Sequence, residues 1–300
     1  VFFDISGFQY FGRYFMNICV SSYSFSRLVR EGSLKPENVI YKAKEMGFYG
    51  IEFAGLWVPE GMTALDYAKH VKDLAEDAGI KITGYSVGGN LLCNNQEEEI
   101  ERLKGEVDVA HALGVNIMRH DVAYEPMPGG YKSFENNLPL LIKGVRAVTE
   151  YAESLGVRTS IENHGFYTQD SHRVEMLIDG VNSDNYGALL DLGNFLCVDE
   201  DPAKATGVLK NYVFSVHAKD FYFHDGDETP SSPGWFMTRG GNFLKGCAIG
   251  DGVVPVKKCL RILKNNGYNG NVTIEYEGTE DVLACISAGK NKLEDIIKEI

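Results

Sequence analysis

The chain has 300 residues, 44% hydrophobic, 24% charged and 11% aromatic, the composition of one large globular domain or two small ones, which excludes disordered, collagen-like and disulfide-stapled chains. Its 42 acidic against 29 basic residues give a net charge of −13, which argues against nucleic-acid or anionic-membrane partners, since both need a basic surface. The cysteines Cys19, Cys93, Cys197, Cys247, Cys259 and Cys285 show no C-x-x-C spacing and fit reduced thiols of a cytoplasmic protein, and no apolar run approaches the ~20 residues of a membrane helix.

In chain order the first feature is VFFDISGFQYFGRYF, seven of whose residues are Phe or Tyr. Without a basic leader or a small-residue cleavage site it does not read as a signal peptide. Residues 1–15 are taken as an N-terminal extension, either a translated upstream segment or an arm packed over the barrel floor or a subunit contact, and residues 16–300 as the catalytic domain. Homo-oligomerisation is left open. From Met16 onward, apolar or β-branched runs at 16–21, 49–54, 81–87, 116–121, 158–163, 186–191, 213–220 and 272–278 alternate with amphipathic segments such as ALDYAKHVKDLAEDAG. Gly47, Gly79, Gly114 and Gly156 close four of those segments shortly before the next strand, as left-handed helix caps do. The expected α/β fold is a single-domain (β/α)8 TIM barrel. A doubly wound open sheet is the competing architecture, but no strand leads into a G-x-G-x-x-G turn. The stretch 221–252 is rich in Gly, Pro, Ser and Asp. As a long loop after the seventh strand it is read as a lid or pocket wall.

Charged residues at the C-terminal ends of barrel strands face the mouth and cost desolvation unless paired or metal-bound. Glu162 ends the fifth strand, Asp191 the sixth, His217 lies late in the seventh and Glu275 late in the eighth. Neighbouring strands are ~4.8 Å apart, so the four side chains can converge. Three carboxylates and one imidazole at such range suit one divalent cation, with Mn2+ favoured and Mg2+, Co2+ or Zn2+ compatible. Ordinary ion pairs with Lys219 or Arg119 are the alternative.

IENHG, LLDLGN, VHAKD, AIGDG and TIEYEG, in that order, resemble the xylose-isomerase-like superfamily of sugar phosphate isomerases and epimerases, over roughly residues 16–300. The resemblance implies that Glu162, Asp191, His217 and Glu275 form the metal site, with Glu162 and Glu275 as acid and base on opposite faces of a small carbohydrate. Abstracting a proton beside a carbonyl is eased by a cation that stabilises the enediolate. Return of the proton on the same face isomerises, and on the other face epimerises.

The chain departs from related patterns. Asn194 stands where ketose 3-epimerases and endonuclease IV carry a His, and Phe223 where the ketose epimerases carry an Arg. The extra zinc ligands of endonuclease IV are missing, which with the acidic charge disfavours a nuclease. The favoured activity is a metal-dependent isomerase or epimerase of a small, unphosphorylated sugar or keto-polyol. A lyase or dehydratase of the inosose-dehydratase kind is the alternative, and a non-catalytic carbohydrate-binding barrel is less favoured. Further catalytic candidates are His164, in the loop beyond Glu162, and Lys219, two residues beyond His217 and able to pair with Glu277. Substrate-binding candidates are Glu52, Trp57, Asn194, His120 and Glu277. Which of His120 and Asp121 points inward is left open. Trp235 is a further possible sugar platform.

Overall fold

Strands joined through helices must all return to the same end before pairing, which makes the sheet parallel, and eight such returns close it. The computed structural model describes residues 16–300, so the extension expected over 1–15 lies outside the described residues. Its strands are β1 (Asn17–Ser21), β2 (Gly50–Ala54), β3 (Lys81–Val87), β4 (Ile117–His120), β5 (Arg158–Glu162), β6 (Tyr186–Asp191), β7 (Val213–Ala218), β8 (Asp220–His224), β9 (Phe236–Met237), β10 (Phe243–Cys247) and β11 (Asn271–Ile274). Eight of them form a closed barrel in the order β1-β11-β7-β6-β5-β4-β3-β2.

The four cap glycines occupy the left-handed region, Gly79 at φ 64° and Gly114 at φ 78° among them, where a side chain would be strained. Gly114 takes the chain from the helix Gln96–Leu113 into β4. Alternation along the strands then sets the site. Ile161, Leu190, Val216 and Ile274 are buried in the core, each gaining about 1.5–3 kcal/mol from burial. The next residue along each strand, Glu162, Asp191, His217 or Glu275, therefore turns to the barrel interior.

Two register irregularities re-aim side chains, one between Ile51 and Glu52 where β2 meets β3, the other between Ala188 and Leu189 where β6 meets β7. The first sets Glu52 opposite Gly84. A Cβ on Gly84 would lie 3.3 Å from Cγ of Glu52, so this glycine gives the carboxylate room.

The segment after β7 is structured rather than a loose lid. It folds into an antiparallel sheet in the order β8-β10-β9. Phe221 of β8 and Leu244 of β10 are fully buried. Its end is tied to its start by Asp220, whose carboxylate accepts the N–H groups of Gly250 at 2.8 Å, Gly252 at 3.1 Å and Val254 at 2.9 Å. Thr238 and Asn242 bond Asp199 at 2.8 and 2.7 Å, which ties the sheet to the turn following β6. The six cysteines are free thiols. Among the described residues no helix is long and apolar enough to cross a membrane.

Candidate metal centre

Glu162, Asp191, His217 and Glu275 each present a ligand atom, all within 4.8 Å of one another. Nδ1 of His217 lies 3.8 Å from Oε1 of Glu162, 4.0 Å from Oδ2 of Asp191 and 3.7 Å from Oε2 of Glu275. The two oxygens of Asp191 differ. Oδ1 accepts the backbone N–H groups of Gly193 and Asn194, both at 2.8 Å. Oδ2 is buried without a hydrogen-bond partner, and so is Nδ1 of His217. Leaving such groups unmatched costs about 1–3 kcal/mol each. Two orphaned ligand atoms facing two further carboxylates fit a divalent cation, whose identity this donor set does not single out.

The protonation pattern points the same way. Burial pushes Asp191 up to about 6, with Lys219 opposing and Glu162 and Glu275 adding to the rise. Burial alone would lower His217, but the charges of Glu52 and Glu275 hold it well above the usual imidazole range. Burial would raise Glu275, yet the positive charges of Lys219 and His217 keep its carboxyl well below the carboxylate range. In the absence of a cation, the positive charges of His217 and Lys219 are what face the acids.

Lys219 is central to that balance. Its Nζ lies 2.8 Å from Glu275, 3.4 Å from Glu277 and 3.5 Å from Asp191, and it donates to Oδ1 of Asn194 at 3.2 Å. Arg119, buried at the end of β4, does the same for the other wing. It donates to Glu162, to Asp121 at 3.2 Å and to the Val87 carbonyl at 3.0 Å. His164 meets Asp121 at 3.0 Å through Nδ1.

The centre opens into a cavity of about 620 Å³ whose lining includes Glu162, His164, His217, Lys219 and Glu275. The residues expected to touch substrate fare differently, because none of Glu52, Trp57, His120, Asn194 and Glu277 lines this cavity. Glu52 lies beneath the centre, its Oε1 taken up by His217 Nε2 at 2.9 Å and Ser86 Oγ at 2.7 Å. Trp57 packs on the core and lies off the cavity, which its neighbours Leu56 and Val58 line. His120 is fully buried on the other side of β4 from Arg119, with Nδ1 2.9 Å from the Asp121 carbonyl. Asn194 bridges Glu162, at 3.0 Å, and Lys219. Glu277, beyond the end of β11, reaches Lys219 and a smaller cavity beside Arg27 and Arg30. The cavity lining includes neither Trp235 nor any other residue of 221–252.

Arg119 and Asp121, which the sequence reading raised only as an ion-pair alternative and as a residue of undecided orientation, are tied to Glu162 and His164 in the structure. The available signal was parity: an Arg and an Asp two apart at a strand end share one face. Tyr23 and Arg102, which also line the cavity, carry no such signal, since they come from a turn and a helix.

Residues 40–299 match the family described as Xylose isomerase-like TIM barrel. Curated relatives include the C-glycoside deglycosidase alpha subunit of Microbacterium trichothecenolyticum, 23% identical over 86% of this chain and 83% of the relative. An inosose dehydratase of Clostridium beijerinckii is 21% identical over 82% and 76%, and the L-ribulose-5-phosphate 3-epimerase UlaE of Escherichia coli O157:H7 is 24% identical over 83% and 85%. The solved structure of a xylose isomerase domain protein from Planctomyces limnophilus superposes with a TM-score of 0.74 at 19% identity, covering 95% of this chain and 99% of that one.

Proposed function

The chain belongs to the xylose isomerase-like TIM-barrel family, and from that premise we propose that it is a divalent-metal-dependent isomerase or epimerase of a small, unphosphorylated sugar or keto-polyol. The observation that carries this reading is the pair of orphaned buried ligand atoms, Asp191 Oδ2 and His217 Nδ1, set among Glu162 and Glu275. When bound there, a divalent cation, for which we favour Mn2+, supplies positive charge where the substrate carbonyl oxygen turns negative.

The chain's own residues carry the protons. A carboxylate oxygen of Glu162 or Glu275 takes the hydrogen from the carbon beside the carbonyl, forming an O–H bond as the C–H pair moves into a C=C bond and the carbonyl electrons move onto oxygen. The reverse flow returns a proton to carbon. Arg119 orients Glu162 and Lys219 orients Glu275, so each carboxylate is aimed by a fixed cation. His164, held by Asp121, stands at the cavity wall as a donor to substrate oxygen.

A second reading, a lyase or dehydratase, is favoured by the Lys219 ammonium 2.8 Å from Glu275, a proton source for a departing hydroxyl, and by the dehydratase among the relatives. Incubating a panel of ketoses and keto-polyols with Mn2+ in D2O tests both. Incorporation of deuterium at carbon with substrate mass otherwise conserved supports the isomerase. Loss of one water supports the lyase, and no exchange with any substrate counts against both.

A further inference from the structure

The centre occupies only one side of the cavity. Its residues come from β5, β6, β7 and the end of β11, and the closed strand order sets β2 directly across the barrel from β6. The far wall is built by the segment after β2, which supplies Leu56 and Val58, and the turn after β1, between β2 and β11 in the closed order, adds Tyr23 at the border with the centre. Tyr23 is 43% exposed and Val58 37% exposed, so large apolar faces look into open space. Isolated exposed apolar groups need no explanation, but a set of them facing one cavity marks a binding surface. The volume of about 620 Å³ falls within the roughly 300–1,000 Å³ that encloses drug-sized ligands. A bare monosaccharide at the centre leaves the far wall to water.

Charge restricts what can fill that space. Arg102, the cation of the far wall, is already committed: Nε and Nη2 grip Glu99, both at 2.8 Å, Nη1 reaches Glu106 at 3.3 Å and Nη2 also bonds the Gly88 carbonyl at 2.7 Å. Glu106 is fixed in turn by the Tyr85 hydroxyl at 2.7 Å. A phosphate arriving there meets the Glu106 carboxylate and a guanidinium whose donors are engaged. Arg119 and Lys219 are each held by two or more carboxylates as well.

We propose that the wall of Tyr23, Leu56 and Val58 is a subsite for an uncharged apolar substituent, so that the substrate class is a sugar or keto-polyol joined to an apolar group, and that Glu106 is a specificity-determining residue that excludes phosphorylated sugars by presenting its carboxylate to the cavity beside an Arg102 already neutralised by Glu99. This rests on the function proposed above only in putting the sugar end at the carboxylate cluster. The apolar group gains burial against aliphatic and aromatic side chains, while the polyol end keeps its polar partners.

Calorimetric titration of the full chain, both Mn2+-loaded and chelator-treated, with glucose, 4-nitrophenyl β-D-glucoside and glucose 6-phosphate tests this. The aryl glucoside is expected to bind at least about tenfold tighter than glucose, in both forms of the protein, with glucose 6-phosphate no tighter than glucose. Val58→Ser and Tyr23→Ser, at exposed positions, should each shrink the aryl advantage, and Glu106→Gln should strengthen glucose 6-phosphate binding. No detectable binding of the aryl glucoside, an aryl advantage unchanged in both variants, or glucose 6-phosphate binding tighter than glucose in the parent protein would each overturn the proposal. Exchange of carbon-bound protons on free ketoses without any aryl preference would count against this subsite alone. Aryl preference without exchange on any substrate would count against the proposed reaction alone.

Discussion

Glu52 and His217 face each other across the interior of the barrel, with Oε1 of the one 2.9 Å from Nε2 of the other. The same oxygen takes a hydrogen bond from Ser86 at 2.7 Å, so the carboxylate is held from both sides. Fixing Nε2 in this way turns Nδ1 toward the three carboxylates, the role that carboxylates beside metal-bound histidines commonly play. Glu52→Ala should therefore weaken Mn2+ binding about 10–100-fold, read by competition with a chromogenic chelator. Glu52→Gln keeps an acceptor oxygen and should recover much of the affinity. Equal affinity in parent and Glu52→Ala would show that Glu52 does not position the imidazole.

The four candidate ligands give a direct test. His217→Ala and Glu275→Gln should each lose the metal that co-purifies with the parent when no chelator is used, as measured by elemental analysis. Adding Mn2+ at about a hundredfold over its dissociation constant should stabilise the parent by roughly 2.7 kcal/mol and leave His217→Ala nearly unchanged. Stoichiometric metal retained in both variants would mean that other residues hold it.

What the sequence reveals here follows from what local patterning can encode. Strand alternation and helix-closing glycines are local, and the eight expected barrel strands agree with the observed ones to within a few residues at their ends, such as 186–191 for β6. The four convergent residues are legible for the same reason, each following a buried apolar residue at a strand end. Glu52 was read as a substrate-binding acid at the end of the second strand and not as the partner of His217, because that contact depends on an irregular register between β2 and β3. The pairing of β8 with β10 joins residues about twenty apart through a Gly- and Pro-rich stretch, and such pairing leaves no periodic trace in the sequence.

Arg119 ties two acids together at the edge of the centre, donating to Glu162 and to Asp121 in a buried setting. Removing one member of such an arrangement strands the others without a counter-charge, at a cost of about 3–5 kcal/mol. Arg119→Met should lose stability on that order in urea unfolding, whereas Arg119→Lys, which keeps the charge but cannot fork between two carboxylates, should lose less. Equal stability of Arg119→Met and the parent would show that the pairs contribute nothing net.

Asp121 links that arrangement to pH. Burial pushes its carboxyl upward, but the Arg119 charge and the hydrogen bond from His164 outweigh burial and bring it from 3.8 down to about 2. A group depressed in the folded state stabilises the protein above its unfolded pKa and loses that contribution as pH falls through the folded one. The shift corresponds to stability on the order of 2 kcal/mol, present above about pH 4 and lost toward pH 2. Asp121→Asn removes the titration, so the stability gap between parent and variant in urea unfolding should be widest at pH 5 to 6. It should narrow as pH is lowered from 4 toward 2. A gap that stays constant over that window would show that the ionised carboxylate is not what Arg119 and His164 hold in place.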